Sequence, residues 1–232
     1  MTRIRLRSPD RESQTDTRVG ESWLGAARRL AVPAEPVAAD LSDDPKTFLV
    51  DEDLRVGLRP MLHSDLHDVL RWRHADHVRR WFGPPPTWQD VVDRYGPRID
   101  GRQPTRMSVI EANGRSVGFI QDYLVRDHPE YAVLTPDPNA IGGDYLIGEP
   151  AWVGRGIGTR LIWTWLAGLP AQYPGTKTVF VSPDHRNAAS LRILAKTGFE
   201  QGLWFDEPQR DGTVSTVIGC SLDLDVVVGP PG

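Results

Sequence analysis

The 232-residue chain contains one cysteine, Cys220. A single thiol excludes an internal disulfide framework and any zinc site built from several cysteines. Placed in the last expected strand, it reads as a small core hydrophobe rather than a nucleophile. Long apolar runs are also missing. No stretch approaches the roughly 18 consecutive apolar residues of a membrane span, and the N-terminus lacks the apolar core of a signal peptide. A cytoplasmic protein with no membrane partner is expected. Basic charge is not in excess: Lys and Arg number 27 against 31 Asp and Glu, for a net charge of −4. Nor is there a basic stripe of the kind a nucleic-acid binder presents, so no nucleic-acid partner is expected. His63, His67, His74 and His77 lie close together, the last three on one helical stripe. No Glu completes a His-Glu-x-x-His metal pattern there, so a packed or half-exposed histidine stripe is expected, and no metal.

What is present is ordinary for a soluble globular protein, 39% hydrophobic and 25% charged. Residues 1–52 are rich in Arg, Asp, Pro and Ala and show little periodicity beyond one short helix over 23–30. They read as a mobile or loosely docked N-terminal extension, and residues 53–232 as the folded domain. Leu54, Val56 and Leu58 alternate with polar residues or glycine, as in a half-buried strand. A helix capped by Ser64 or Asp65 should run to Phe82, where Gly83 and three prolines stop it. Thr87-Trp88-Gln89-Asp90 forms a capping box for a second helix to about Ile99. Asn113-Gly114 is a tight-hairpin dipeptide between strands 107–111 and 117–125. A later strand over 178–181, a helix from Asn187 to Thr197 and a final hairpin complete the order β-α-α-β-β-β-α-β-α-β-β. The expectation is an α/β (α+β) fold: a mixed sheet of about seven strands with about four helices.

The richest stretch runs from Gly142 to Ile162. A short apolar strand carries Asp144, turns through Val153-Gly154-Arg155-Gly156-Ile157-Gly158-Thr159, and becomes an apolar helix. Glycines leave backbone amides uncovered, and the opening helix adds the positive end of its dipole. That combination is a phosphate or pyrophosphate cradle, to which Arg155 adds charge-assisted hydrogen bonds.

This order, with Gly154-Arg155-Gly156-Ile157-Gly158-Thr159 after the fourth strand, resembles the GCN5-related N-acetyltransferases. Over roughly residues 54–205 it is most similar to the aminoglycoside 6'-N-acetyltransferases. The supporting segments are Trp72 through Gly83, Pro86 through Val91, Asn113-Gly114 with Val117 through Tyr123, the glycine loop, and Asn187 with Lys196-Thr197-Gly198-Phe199-Glu200. The resemblance implies a sheet splayed at the fourth and fifth strands. It also implies acetyl-CoA as cofactor, held by Leu146, Ile147, Val153, Gly154, Arg155, Gly156, Ile157, Gly158, Thr159, Asn187 and Ser190. Asp144 falls at the catalytic aspartate, and Gln121 becomes a substrate contact. Two departures stand out. Val153 replaces a Gln or Arg, and Leu194 replaces the tyrosine that protonates the leaving thiolate.

Acetylation of an amine needs the neutral base, whereas an alkyl ammonium has a pKa near ~10.4. A normal aspartate, near ~3.9, is a weak acceptor. Apolar neighbours such as Tyr145 and Leu146 would strengthen it by desolvation; the alternative is that Asp144 anchors the substrate ammonium. A polycationic acceptor needs several carboxylates along its cleft, and Asp122, Asp137, Asp144 and Glu149 are the candidates. Gln121 and Tyr123 share one strand face and Asp122 the other. Trp81 can form a wall for a sugar ring, while Phe82 reads as core. Trp81, Gln121, Asp122, Tyr123, Asp137 and Asp144 are therefore the candidate substrate residues. The leading function is acetyl-CoA-dependent acetylation of an aminoglycoside, a small polyamine-type substrate, by a monomer or homodimer. The runner-up is a hydroxamate-siderophore acyltransferase, which shares Arg186-Asn187-Ala188-Ala189-Ser190 but carries His where this chain has Asp144. A peptide or protein acetyltransferase and a non-catalytic coenzyme A-binding module are the further alternatives.

Overall fold

The computed structural model of the protein describes residues 53–128, 135, 137–208 and 212–229. The expected extension over 1–52, with its short helix, lies outside them. Among the described residues one sheet of seven strands forms: β1 (Val56–Pro60), β2 (Arg106–Ala112), β3 (Arg115–Leu124), β4 (Ile141–Ile147), β5 (Thr178–Val181), β6 (Glu200–Pro208) and β7 (Val214–Asp223). Six helices accompany it: α1 (Leu66–His74), α2 (Asp76–Phe82), α3 (Trp88–Ile99), α4 (Ile157–Gln172), α5 (Ala188–Lys196) and the single turn α6 (Leu224–Val227). Strand order is β1-β2-β3-β4-β5-β7-β6, antiparallel throughout except for the parallel pair β4–β5. No helix of the described residues is long and apolar enough to cross a membrane.

Local signals explain most of these boundaries. Thr87 accepts from the Asp90 amide, and the Asp90 carboxylate accepts from the Thr87 amide at 2.8 Å, the reciprocal cap expected for α3. Asn113 and Gly114 both adopt positive φ, 50° and 76°, as the tight β2–β3 turn requires. Asn187 caps α5 by accepting from the Ser190 amide at 3.1 Å. The first expected helix, however, is two. Ala75 is extended (φ −68°, ψ 134°) and separates α1 from α2, with no glycine or proline to announce it. Long-range anchors impose the break: His77 Nε2 meets the Ile147 carbonyl oxygen at 2.9 Å, and Arg73 donates to the Phe82 carbonyl at 2.6 Å.

The sheet is covered on both faces. One core joins Ile110, Ile120, Ile141, Val179 and Cys220 to Leu161, Ile162, Trp165 and Leu166 of α4 and Leu194 of α5. The other joins Met107, Val109, Phe119 and Leu146 to Val69 and Trp72 of α1 and Val91 and Tyr95 of α3. Phe82 packs against this second core, as expected. Burial pushes the Cys220 thiol up to about 12, in keeping with a core hydrophobe.

A buried carboxylate ties the first core together. Asp122, 1% exposed, accepts from Arg106 Nε and Nη2 at 2.9 and 2.7 Å, from Trp165 Nε1 at 2.9 Å and from the Tyr173 hydroxyl at 2.5 Å. β2, β3 and the C-terminal end of α4 thus meet on one side chain. This corrects the expectation that Asp122 binds substrate: it lies inside the α4 face with both oxygens engaged. Removing one partner of a buried ion pair strands the other. Asp122→Ala should lower stability by about 3 kcal/mol, the low end for such pairs because Arg106 keeps 33% side-chain exposure. Thermal denaturation should register this as a drop in Tm of roughly 6–12 °C; an unchanged Tm would refute the assignment.

Candidate active site

The parallel strands β4 and β5 share one residue pair, Ile141 with Val179, and then separate. From Gly142 onward, β4 pairs only with β3 among the described residues, so every second backbone N–H and C=O of this stretch points into the opening between β4 and β5. Ligands of open α/β sheets settle at such places, beyond the carboxyl ends of diverging strands. Gly142, Gly143 and Asp144 of β4 and Phe180, Val181 and Ser182 beyond it line a small cavity of about 20 Å³, together with Tyr123 and Val125.

The expected cradle stands at one side of the opening. Gly154 and Gly156 each take φ 79°, and α4 starts immediately after them. Among the described residues no side chain caps this helix start, and no acid occupies its first turn. Arg155 lies over the Trp152 ring at 4.6 Å. Arg160, which the sequence reading passed over, brings Nη1 to 3.3 Å from where a Cβ on Gly156 would sit. Bare helix-start amides flanked by two guanidiniums make a site for a dianion. Gly158 plays a different part: a Cβ there would lie 2.4 Å from Ile193 Cδ1, so it permits the close approach of α4 to α5. Ile157 is buried in the core, and Val153 is 51% exposed. Across the opening stands the N-terminal turn of α5, where the Asn187 carboxamide oxygen is engaged in capping.

Asp144 occupies the opposite face of the sheet from this helix pair. Its partner in register is Gln121, whose Nε2 donates to Asp144 Oδ2 at 2.7 Å. Gln121 Oε1 accepts from Arg98 Nη1 of α3 at 2.5 Å. The chain Arg98–Gln121–Asp144 holds one carboxylate in a defined orientation on an exposed part of β4. Tyr145 lies across the strand and does not shield Asp144, contrary to expectation; it packs with the α4 core. That exposed setting leaves the Asp144 carboxylate open to a cation arriving from solvent. Tyr123 shares the Gln121 face as expected, is 8% exposed and tilts onto His128 at 4.3 Å. Its ring covers Gly142, where a Cβ would fall 2.6 Å from it.

Other expected contacts lie elsewhere. Leu146 is 4% exposed in the second core, so only its backbone can face a cofactor; Ile147 packs against the first core. Asp137 accepts from the Asn139 amide at 2.9 Å in a turn. Glu149 accepts from Trp72 Nε1 at 2.9 Å and pairs with Arg71 at 2.5 Å. Partial burial works against its charge, but these two contacts hold the carboxyl below the usual glutamate range. Trp81 is half-buried with the Arg80 guanidinium 4.8 Å above its ring. The histidines each have separate partners: His63 with Asp100, His67 stacked on Trp88, His74 with the Pro86 carbonyl and His77 with that of Ile147.

A seven-stranded mixed sheet, parallel only where it splays, with an anion cradle on one side and a positioned carboxylate on the other, defines an acyl-transfer fold. Residues 61–206 match the Acetyltransferase (GNAT) domain family, and the chain belongs to that family. The chain is 28% identical over 168 residues to "Aminoglycoside N(6')-acetyltransferase type 1" of Klebsiella pneumoniae, spanning 71% of this chain and 79% of that protein. The protein of the same name from Serratia marcescens matches equally. The crystal structure of aminoglycoside acetyltransferase AAC(6')-Ib with coenzyme A superposes with a TM-score of 0.63 at 25% identity, covering 73% of this chain and 95% of that one. Its complex with coenzyme A and kanamycin gives the same values. An uncharacterized protein from Bacillus halodurans, 19% identical with a TM-score of 0.64 over 76% of this chain and 88% of its own, shares the fold.

Gly156→Val places a β-branched residue at φ 79°, a conformation that costs L-residues about 1–2 kcal/mol. It also crowds the cradle. The variant should melt a few degrees lower and lose the thermal stabilisation that coenzyme A gives the unmodified chain. An undiminished thermal shift would remove this loop from the site.

Proposed function

We propose that the protein is an acetyl-CoA-dependent N-acetyltransferase of a small polyamine-type substrate, acting on the 6'-amine of an aminoglycoside and so on antibiotic susceptibility. The observation that carries this reading is Asp144, held by Gln121 and Arg98 on the face opposite the anion cradle. The aminoglycoside relatives at 28% identity support the acceptor class.

Acetyl-CoA supplies an acetyl group activated as a thioester. The uncapped start of α4, with Arg155 and Arg160, fits its diphosphate, and the unpaired backbone of β4 with Asn187 and Ser190 fits its amide-bearing arm. On the other face, Asp144 attracts the substrate ammonium and takes its proton, directly or through a water, as the nitrogen becomes a nucleophile. Gln121 fixes the carboxylate orientation, so the amine is presented to the opening rather than to bulk solvent.

A second reading, acylation of a hydroxylamine in hydroxamate-siderophore assembly, draws support from the charge balance. Of the four carboxylates expected along a polycation cleft, Asp122 and Glu149 are engaged by Arg106 and Arg71, and Asp137 stabilises a turn. Thiol release from acetyl-CoA, measured with kanamycin and with N6-hydroxylysine, separates the two. Release with kanamycin alone is the expected result, and release with the hydroxylamine alone would replace the first reading by the second. Asp144→Asn should lower kcat by about 10²–10⁴-fold, the usual contribution of a positioned proton acceptor, and leave the Kd for acetyl-CoA nearly unchanged. Full turnover in that variant would exclude the role given to Asp144.

A further inference from the structure

Acyl transfer from a thioester develops negative charge on sulfur as well as on the carbonyl oxygen, and a donor aimed at that sulfur is worth a sizeable part of the barrier. Leu194, at the position where the resembling enzymes carry a tyrosine, is 2% exposed and packed in the first core, so it brings no donor. A different tyrosine connects β4 with the start of α5. Tyr145 follows Asp144 directly on β4, and strand alternation sends its side chain to the other face, toward α4 and α5. Its hydroxyl lies 3.2 Å from Ser190 Oγ in the first turn of α5. The pair therefore spans from the unpaired edge of β4 to the second helix start at the opening. We propose that the Tyr145 hydroxyl, positioned by Ser190, is the hydrogen-bond donor to the departing sulfur. The inference rests on the acetyl-CoA reading given above.

The adjacent residues divide the work by face. Asp144 handles the acceptor amine on one side of β4, and Tyr145 the leaving group on the other. As the carbon–nitrogen bond forms, the carbon–sulfur bond breaks and its electron pair leaves on sulfur. Tyr145 donates a hydrogen bond to that sulfur and keeps its proton. The ammonium gives its first proton to Asp144 before the attack, the nitrogen loses its second to a neighbouring water as the amide forms, and sulfur takes its own from solvent after release. Burial raises the Tyr145 hydroxyl above the usual tyrosine range, against a smaller opposite effect of Ser190. It thus stays a neutral donor across the working pH range, whereas a free thiol, near ~8.5, is the stronger acid. Hydrogen-bond donation rather than full proton transfer follows from that order.

Two measurements on the full chain test the proposal. The first is binding by calorimetry of coenzyme A and of desulfo-coenzyme A, which lacks only the sulfur. The unmodified protein should prefer coenzyme A by roughly 3- to 10-fold, the worth of one neutral hydrogen bond. Tyr145→Phe should bring the ratio to about one, and Ser190→Ala should leave it in between. The second is turnover: Tyr145→Phe should lose roughly 10- to 100-fold in kcat, since a hydrogen bond to a charged group is stronger, while its Kd for desulfo-coenzyme A stays at the unmodified value. An unchanged preference for coenzyme A, or kcat within about twofold of the unmodified enzyme, would overturn the role of Tyr145. An unmodified protein that neither binds coenzyme A nor releases thiol with any amine would instead overturn the underlying function.

Discussion

β4 and β5 run side by side for one residue pair and then part, and the candidate active site is built around that parting. In a closed sheet the backbone of Gly142 to Ile147 would be satisfied by a neighbouring strand and hidden from any ligand. Divergence ends the pairing of that backbone with β5 and opens a passage at the small cavity between the two strands. Helix starts lie on one side of the passage, with their positive dipole ends, and a carboxylate on the other. Under the proposed function, a negatively charged donor and a positively charged acceptor would be drawn to opposite faces and meet at the strand between them.

The passage is useful only if its edges stay in place. β4 is held by β3 along its whole length, and the end of β3 is held by Asp122. That carboxylate gathers Arg106 of β2, Trp165 of α4 and Tyr173 beyond it. Burial and the adjacent Asp122 charge keep the Tyr173 hydroxyl well above the usual tyrosine range, so it remains a donor. On the opposite face, His77 fastens α2 to the Ile147 carbonyl at the far end of β4. Both ends of the central strand are thus secured by polar contacts between residues distant in sequence.

Local chemistry was legible in the sequence; long-range chemistry was not. Thr87 with Asp90, Asn113 with Gly114, and Asn187 at the start of α5 each act within four residues, and their types announce what they do. Alternation alone separates Asp122 from Gln121 and Tyr123, yet no local rule says which cation each of Asp122, Asp137, Asp144 and Glu149 will find. Asp122 meets Arg106 across sixteen positions and Glu149 meets Trp72 across seventy-seven. The pairing of Gln121 with Asp144 required the β3–β4 register, and the pairing of Tyr145 with Ser190 the packing of α5 against the sheet. The break at Ala75 was hidden for the same reason: an ordinary helix former is extended there because tertiary contacts on both sides demand it.

Gly158 leaves no room for even a methyl group between α4 and α5. Drawing the two helices apart at this contact would open a void, which disfavours their separation. The spacing of the two helix starts is accordingly tied to the contact between Gly158 and Ile193. A larger side chain at position 158 would press on Ile193 and so carry a change from α4 to α5 without altering Asp144 or Tyr145.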